Sequence, residues 1–235
     1  MLNIKNLSVS SGSKTILQDI NLKINEGEIH VLMGSNGSGK SSLVQFLAGN
    51  PEYGLANKKA EVIFAKNNLV DKTPDEKAKL GLFLAFQNPI IFDGISVFDL
   101  LKLIDRNLNK QITPLFEFRK QIEEYCQLIG FDTKFLQKDL AHNFSGGERK
   151  RIEFLQLMVA KPKLALIDEI DSGLDAKGVE KIAKYLKQRV ERSEMSILLI
   201  THNKKILEYL SPQKYYFLEK GKIIKSGGKE IFKND

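Results

Sequence analysis

The chain has 235 residues, enough for one large core or two lobes, and its 42% hydrophobic and 28% charged content is that of an ordinary globular protein. The formal charge of +7 comes from lysines scattered among acids, with no dense basic block or interleaved aromatics, so it reads as a solvated surface rather than a nucleic-acid footprint. One cysteine excludes an internal disulfide and points to a reducing compartment, and no apolar run reaches the length of a membrane span.

In chain order, Leu2-Asn3-Ile4-Lys5-Asn6-Leu7-Ser8-Val9 alternates like a strand, as does 17–24. With a strand this early, no signal or transit peptide is expected ahead of the fold. Asn25-Glu26-Gly27-Glu28 is a turn, and Ile29-His30-Val31-Leu32-Met33 a buried strand. That strand enters Gly34-Ser35-Asn36-Gly37-Ser38-Gly39-Lys40-Ser41, a match to G-x-x-x-x-G-K-[ST]. Its glycines allow a tight loop that aims N–H groups at phosphate oxygens, Lys40 adds a compact cation, and the Ser41 hydroxyl suits Mg²⁺. A helix over 41–48, including Ser42, would point its positive end at the same phosphates.

Asn50-Pro51-Glu52-Tyr53-Gly54 breaks that helix. Strands are predicted at 60–64 and 82–86, the latter apolar at every position and hence buried, with a short Pro-initiated helix over 74–80 between them. From about 88 to 161 the apolar spacing becomes helical, as in Phe118, Ile122, Tyr125 and Ile129, with a loop over 107–114. Cys126 shares this face and reads as a small core residue. The α/β rhythm then returns: a strand over 164–167, a helix over 176–191, a strand over 196–200, and a hairpin turning at Lys220-Gly221. The pattern predicts a mostly parallel, helix-flanked sheet carrying a helical lobe.

Two further motifs carry chemistry. Leu164-Ala165-Leu166-Ile167-Asp168-Glu169 is an apolar strand ending in two acids, at the place where ligands sit in open α/β sheets. Asp168 there would hold Mg²⁺ and Glu169 would polarise a water; alone, the pair could be a solvated acidic turn. Asn143-Phe144-Ser145-Gly146-Gly147-Glu148 opens a helical segment and is either a glycine-bearing N-cap or a second anion site.

The ordered set resembles the ATP-binding-cassette (ABC) ATPases over nearly the whole chain. The resemblance implies an ABC-type nucleotide-binding domain: a P-loop, RecA-like sheet core, an N-terminal antiparallel β subdomain and an inserted α-helical subdomain. Residues 1–87 and 162–235 would form the two parts of the core, and 88–161 the helical subdomain. By resemblance, 34–41 is Walker A, Gln87 the Q-loop glutamine that reaches nucleotide and metal, and Phe144-Ser145-Gly146-Gly147-Glu148 the signature. Asp168 with Glu169 is Walker B with the catalytic acid, Ser172-Gly173-Leu174-Asp175 the D-loop, and His202 the switch histidine. Metal ligands would be Ser41, Gln87 and Asp168, and the cofactors ATP and Mg²⁺.

Two positions depart from the family pattern: Glu148 stands where Gln is usual, and 9–14 lacks the usual adenine-stacking aromatic. Gly81-Leu82-Phe83-Leu84-Ala85-Phe86-Gln87-Asn88-Pro89, the segment 144–151 and Asp168-Glu169-Ile170-Asp171-Ser172-Gly173-Leu174-Asp175 resemble the SufC subfamily, the ATPase subunit of SUF iron–sulfur cluster assembly. That resemblance implies SufB- and SufD-like scaffold partners, a transient homodimer closing on ATP with the signature acting in trans, no membrane insertion, and a bacterial cytoplasmic or plastid stromal location. Clusters need several thiolates, so one cysteine, with His30, His142 and His202 at no metal-ligand spacing, implies that this chain holds none itself. A resting pair between Glu169 and Lys150 of the Arg149-Lys150-Arg151 run is expected in the monomer; otherwise these cations solvate a helix. The main alternative is the ATP-binding subunit of a membrane transporter. A nucleic-acid-acting cassette is disfavoured by the single cassette without a long coiled-coil insertion, and a low-turnover nucleotide sensor by Glu169 and His202.

Overall fold

The computed structural model describes residues 1–57, 59–86, 93–109, 113–169 and 173–232. The alternating N-terminal segments pair as β1 (Leu2–Ser11) and β2 (Lys14–Ile24), antiparallel with Leu2 opposite Ile24. Together with β4 (Gly54–Leu55), β5 (Glu61–Phe64) and β6 (Asn67–Asn68) they make a five-stranded antiparallel sheet.

The second sheet has six strands. They are β3 (Ile29–Met33), β7 (Leu82–Ala85), β8 (Leu164–Asp168), β9 (Ser196–Ile200), β10 (Lys214–Glu219) and β11 (Lys222–Gly227). Their order is β11-β10-β3-β9-β8-β7, all parallel except the terminal hairpin strand β11. The helices α1 (Lys40–Ala48), α2 (Pro74–Lys79), α3 (Val97–Leu108), α4 (Leu115–Ile129), α5 (Gly146–Ala160), α6 (Ala176–Glu191) and α7 (Lys204–Leu210) fill the connections. A mostly parallel, helix-flanked sheet beside an antiparallel one is the arrangement expected from the motif order.

The parallel strands are buried on both faces, so alternate residues feed two cores. Ala165, Ile167, Ile197 and Leu199 pack with α3–α6, including Phe118, Ile122 and Cys126 of α4. Leu164, Leu166, Leu198 and Ile200 pack with α1 and the antiparallel sheet, through Leu43, Leu47, Val9 and Leu17. Burial pushes the Cys126 thiol up to about 12, as befits a core residue. Tyr125, on the flank of the α4 stripe, is only half-buried.

The strand β7 corrects an expectation. It is not buried throughout: Phe83 and Leu84 remain half-exposed, because β7 is the sheet edge and pairs with β8 alone. Its outer side opens on an apolar cleft of about 300 Å³ between α2 and α3. Helix α7 and the two-residue strands β4 and β6 had no clear periodic signal, being too short to show one.

One buried polar residue sits in the P-loop strand. His30 is 3% exposed; its Nε2 meets Glu28 Oε2 at 2.9 Å, while Nδ1 has no hydrogen-bond partner. Burial lowers its pKa below the ordinary value near 6.5, with Glu28 opposing and Lys214 adding to the shift. A histidine held neutral in the fold contributes stability that is complete above 6.5 and is lost as pH falls through the depressed folded value. The melting temperature is expected to drop below pH 6.5, and His30→Phe to flatten that part of the profile in calorimetric scans from pH 8 to 5. An unchanged slope in the variant removes His30 as the cause.

Candidate functional site

The loop 34–39 leaves β3 and enters α1 under tight backbone restraint. A Cβ on Gly34, at φ +150°, would lie 2.1 Å from the Leu218 carbonyl oxygen of β10. The loop is also held through Gly221, whose N–H donates to the Ser38 carbonyl at 3.0 Å and whose carbonyl accepts from Gln18 N–H at 2.8 Å. The terminal hairpin thus forms the floor beneath the loop. Gly39 caps α1 at φ 107° with no side-chain bond to the first helical N–H groups. Those donors, and the dipole behind them, are left for an anion.

Lys40 is 7% exposed, and its Nζ donates to the Gly34 and Ser35 carbonyls at 2.8 and 3.0 Å. Burial lowers its pKa; Asp168 and Glu169 pull it back up. Asp168, the last residue of β8 and 4% exposed, has its carboxyl pushed above the usual range by burial, against a hydrogen bond from Ser41. Glu169 follows at φ 52°, its N–H donating to the Ile200 carbonyl at 3.0 Å. Strand register makes this convergence: Leu32 and Asp168 both pair with Ile200, so the P-loop and the two acids leave the same edge with β9 between them. His202 follows the end of β9, exposed, two residues beyond Ile200.

Between these groups lies a cleft of about 480 Å³, lined by Asn36, Gly37, Gly39, Lys40, Ser41, Ser42, Asp168, Glu169 and Ile16. The buried Ser38 Oγ has no partner, a donor and acceptor left over in the loop. A desolvated ammonium, open helix N–H groups and an orphaned hydroxyl fit a polyphosphate; the Ser41–Asp168 pair offers the hard oxygen donors that suit Mg²⁺. Ile16 was missed by a search for an aromatic. The signal was there: the adjacent apolar pair Ile16-Leu17 breaks the alternation of β2, so that Leu17 is buried and Ile16 faces the cleft.

The segment 144–148 lies on a different surface, and none of it lines that cleft. Ser145 caps α5 in a reciprocal box: its Oγ accepts from Glu148 N–H at 3.3 Å, and Glu148 Oε2 accepts from Ser145 N–H and Oγ–H at 2.7 and 2.8 Å. The bonds from Ser145 hold the Glu148 carboxyl below its usual range. Phe144 is buried edge-on against Phe135 and His142. A Cβ on Gly147 would come 2.8 Å from the Gly173 carbonyl, and Arg151 Nη2 meets Asp175 Oδ1 at 3.0 Å. The helix N-terminus and 173–175, including Leu174, are therefore fastened together within one chain. Gln87 and Ser172 lie outside the described residues.

Lys150 is not where the sequence reading put it. Its ammonium donates to the Phe86 carbonyl at 2.6 Å and pairs with Glu153 Oε2 at 3.2 Å, with both side chains about 4% exposed. Helical geometry explains the correction: Glu153 is one turn on, at i+3, and inward-facing, so Lys150 is neutralised on its own helix instead of reaching Glu169.

Gly34→Ala is expected to cost about 3 kcal/mol by forcing β3 and β10 apart, since the nearest contacting atom is the backbone carbonyl oxygen of Leu218, which cannot swing aside. Urea unfolding would read this, and a variant as stable as the wild type would show that the loop floor yields. Ser145→Ala removes the cap and is expected to cost about 1 kcal/mol in the same assay.

The chain matches the family described as ABC transporter over residues 17–172. The "Probable ATP-dependent transporter ycf16" of Cyanophora paradoxa is 40% identical over 99% of this chain and 90% of its own length. The "Probable ATP-dependent transporter slr0075" of Synechocystis is 37% identical over 98% and 91%. "ABC transporter I family member 6, chloroplastic" of Arabidopsis thaliana is 35% identical over 96% of this chain and 67% of that protein. Among solved structures, the dimeric post-hydrolysis ATP-binding cassette MJ0796, bound to ADP and Pi, superposes with a TM-score of 0.84 over 97% of this chain and 98% of its own, at 22% identity, a likeness of fold. With a P-loop and a pair of acids at the carboxyl ends of the interior strands β3 and β8, and a relative 40% identical over 99% of this chain, the chain belongs to the ABC transporter family, as one of its ATP-hydrolysing cassettes.

Proposed function

We propose that this chain is the ATPase subunit of a SUF-type iron–sulfur cluster assembly complex, converting ATP hydrolysis into movement of a scaffold built from SufB- and SufD-like proteins. The observation that carries the enzymatic part is Lys40, buried on the P-loop carbonyls and facing Asp168 and Glu169 across a polar cleft. The SUF assignment is supported by three sequence segments, 81–89, 144–151 and 168–175, which resemble SufC rather than transporter ATPases.

In this reading the N–H groups of 34–42 hold the β- and γ-phosphates, with Lys40 neutralising them. Ser41 and Asp168, with Gln87, hold Mg²⁺, which when bound supplies charge neutralisation at the phosphates. Glu169 accepts a proton from the attacking water while oxyanion charge is met by the loop amides. His202 contacts the γ-phosphate and registers its loss. Ile16 offers the base an aliphatic surface in place of a ring, so base selectivity is weak. In the same reading half of the site comes from a second copy, whose Ser145 and Gly147 meet the γ-phosphate in trans with 172–175 alongside; that Ser145 is exposed and that neither residue lines the cleft of its own chain supports this. The cluster itself is left to partner thiolates, since Cys126 is buried and stays a thiol at physiological pH.

A second reading is the nucleotide-binding subunit of a membrane transporter; the printed names of the relatives, ATP-dependent transporters, favour it. Among the described residues no helix is long and apolar enough to cross a membrane. Affinity capture from the native host separates them: co-purification of SufB- and SufD-like proteins supports the first, and recovery of a permease overturns it. Glu169→Gln is expected to lower turnover about 100-fold or more and to trap an ATP-dependent dimer visible by light scattering. Full-speed hydrolysis by a dilute monomer would overturn the shared site.

A further inference from the structure

Phe86 leaves the edge strand β7 one residue beyond the last ladder pair, Ala85 with Ile167. Its backbone N–H and C=O therefore have no strand partner ahead, yet Phe86 is only half-exposed and both groups need one. Both are taken by one turn of α5. Glu153 Oε1 accepts the Phe86 N–H, and Lys150 Nζ donates to the Phe86 carbonyl at 2.6 Å, while the two side chains pair with each other at 3.2 Å. A three-membered polar clamp thus sits where relative exposure is 3% for Lys150 and for Glu153.

We propose that Glu153, acting with Lys150, is a positioning residue for the ATPase cycle, locking the exit of β7 toward Gln87 to the helix that begins at Ser145. The helix is a rigid link: Ser145 and Glu153 are eight residues apart, about 12 Å along α5. If α5 turns when Ser145 and Gly147 engage a second copy's nucleotide, Phe86 has to follow. Slippage would strip a buried charge of its partner, which is the costly way to break such a pair. Burial pushes the Glu153 carboxyl above its usual range, against Lys150 and the Phe86 N–H, which both favour the charged form. The clamp also lies within electrostatic reach of Asp168, whose carboxyl feels Lys150. The ends of the link, Gln87 and the trans signature, rest on the function proposed above; the clamp itself rests on the bonds just described.

Two variants of the full chain test this. Glu153→Asp shortens the acid by one methylene, keeping the charge beside Lys150 but withdrawing from the Phe86 N–H. The double variant K150M/E153L replaces the pair with apolar groups of similar size. Both variants leave Phe86 short of a hydrogen-bond partner, so the melting temperature is expected to fall by several degrees, more in K150M/E153L; ADP affinity stays near wild type, kcat measured well below that melting temperature falls about tenfold, and KM for ATP changes little. The companion K150M/E153Q, which restores an acceptor for the Phe86 N–H, should recover most of the kcat lost in K150M/E153L. Wild-type kcat in Glu153→Asp, or equal loss in the two double variants, would overturn the proposal. If K150M/E153L does not fold, Glu153→Asp decides alone. Absence of turnover in the wild type with its partners would instead overturn the proposed function and leave the bonds of the clamp as they are.

Discussion

A buried ammonium governs the nucleotide cleft. Lys40 has given up most of its water, and two P-loop carbonyls replace only part of it. The remainder of its stabilisation comes across the cleft from Asp168 and Glu169, which tie the end of β8 to the start of α1. Asp168 is desolvated in turn and leans on Ser41. Each charge is tolerated because the others are present, so the cleft is complete only when β3, β9 and β8 end in register. The fold serves that requirement: the antiparallel sheet and terminal hairpin support the loop from one side, through Gly221 and Leu218, and the helical core fixes β8 from the other.

The second organising element is α5. Its first turn is closed by the Ser145–Glu148 box, its second turn meets Asp175 through Arg151, and its inner face grips Phe86 through Lys150 and Glu153. One helix therefore touches 144–148, 173–175 and the exit of β7. The contact of Gly147 with the Gly173 carbonyl leaves no room for a side chain, so these two segments present a single surface to whatever docks there. On the proposed function, being so connected suits a helix that responds to nucleotide and second copy together.

Sequence reading reached the parts of this arrangement that are contiguous. Ile29–Met33, Ala176–Glu191 and Ser196–Ile200 fall on the bounds expected from periodicity, and the P-loop and the acid-tipped strand announce themselves in eight and six residues. What escaped it depends on strand order and on facing across space. The edge position of β7, which half-exposes Phe83 and Leu84, follows from a pairing that no local pattern encodes. A pair between Lys150 and Glu169 is expected from an acid needed only on dimer closure and a basic run near it in the fold; only the inward rotation of α5 shows that the carboxylate Lys150 meets is Glu153. Glu153 carried no motif, and its value lies in the Phe86 N–H, 67 residues away in sequence. Ile16 was visible as a broken alternation, but a search confined to aromatics passes over it.

Glu148 illustrates how one departure from a family pattern acquires physical content. A glutamine could accept the Ser145 N–H as well, but only a carboxylate takes both the N–H and the hydroxyl hydrogen through a single charged oxygen. The box is correspondingly firm, and the negative charge suits the positive end of α5. That same charge works against any anion approaching the helix, because it offsets the dipole that would attract a phosphate. In the proposed dimer, therefore, the signature brings less attraction of its own to a partner's γ-phosphate than a glutamine would allow. Closure must then draw more of its driving force from elsewhere, from Lys40 and the metal on the nucleotide side or from a bound scaffold that holds two copies together. On the proposed function, a cassette built this way idles when alone and turns over when assembled, and the carboxylate that stabilises its resting helix is part of the reason.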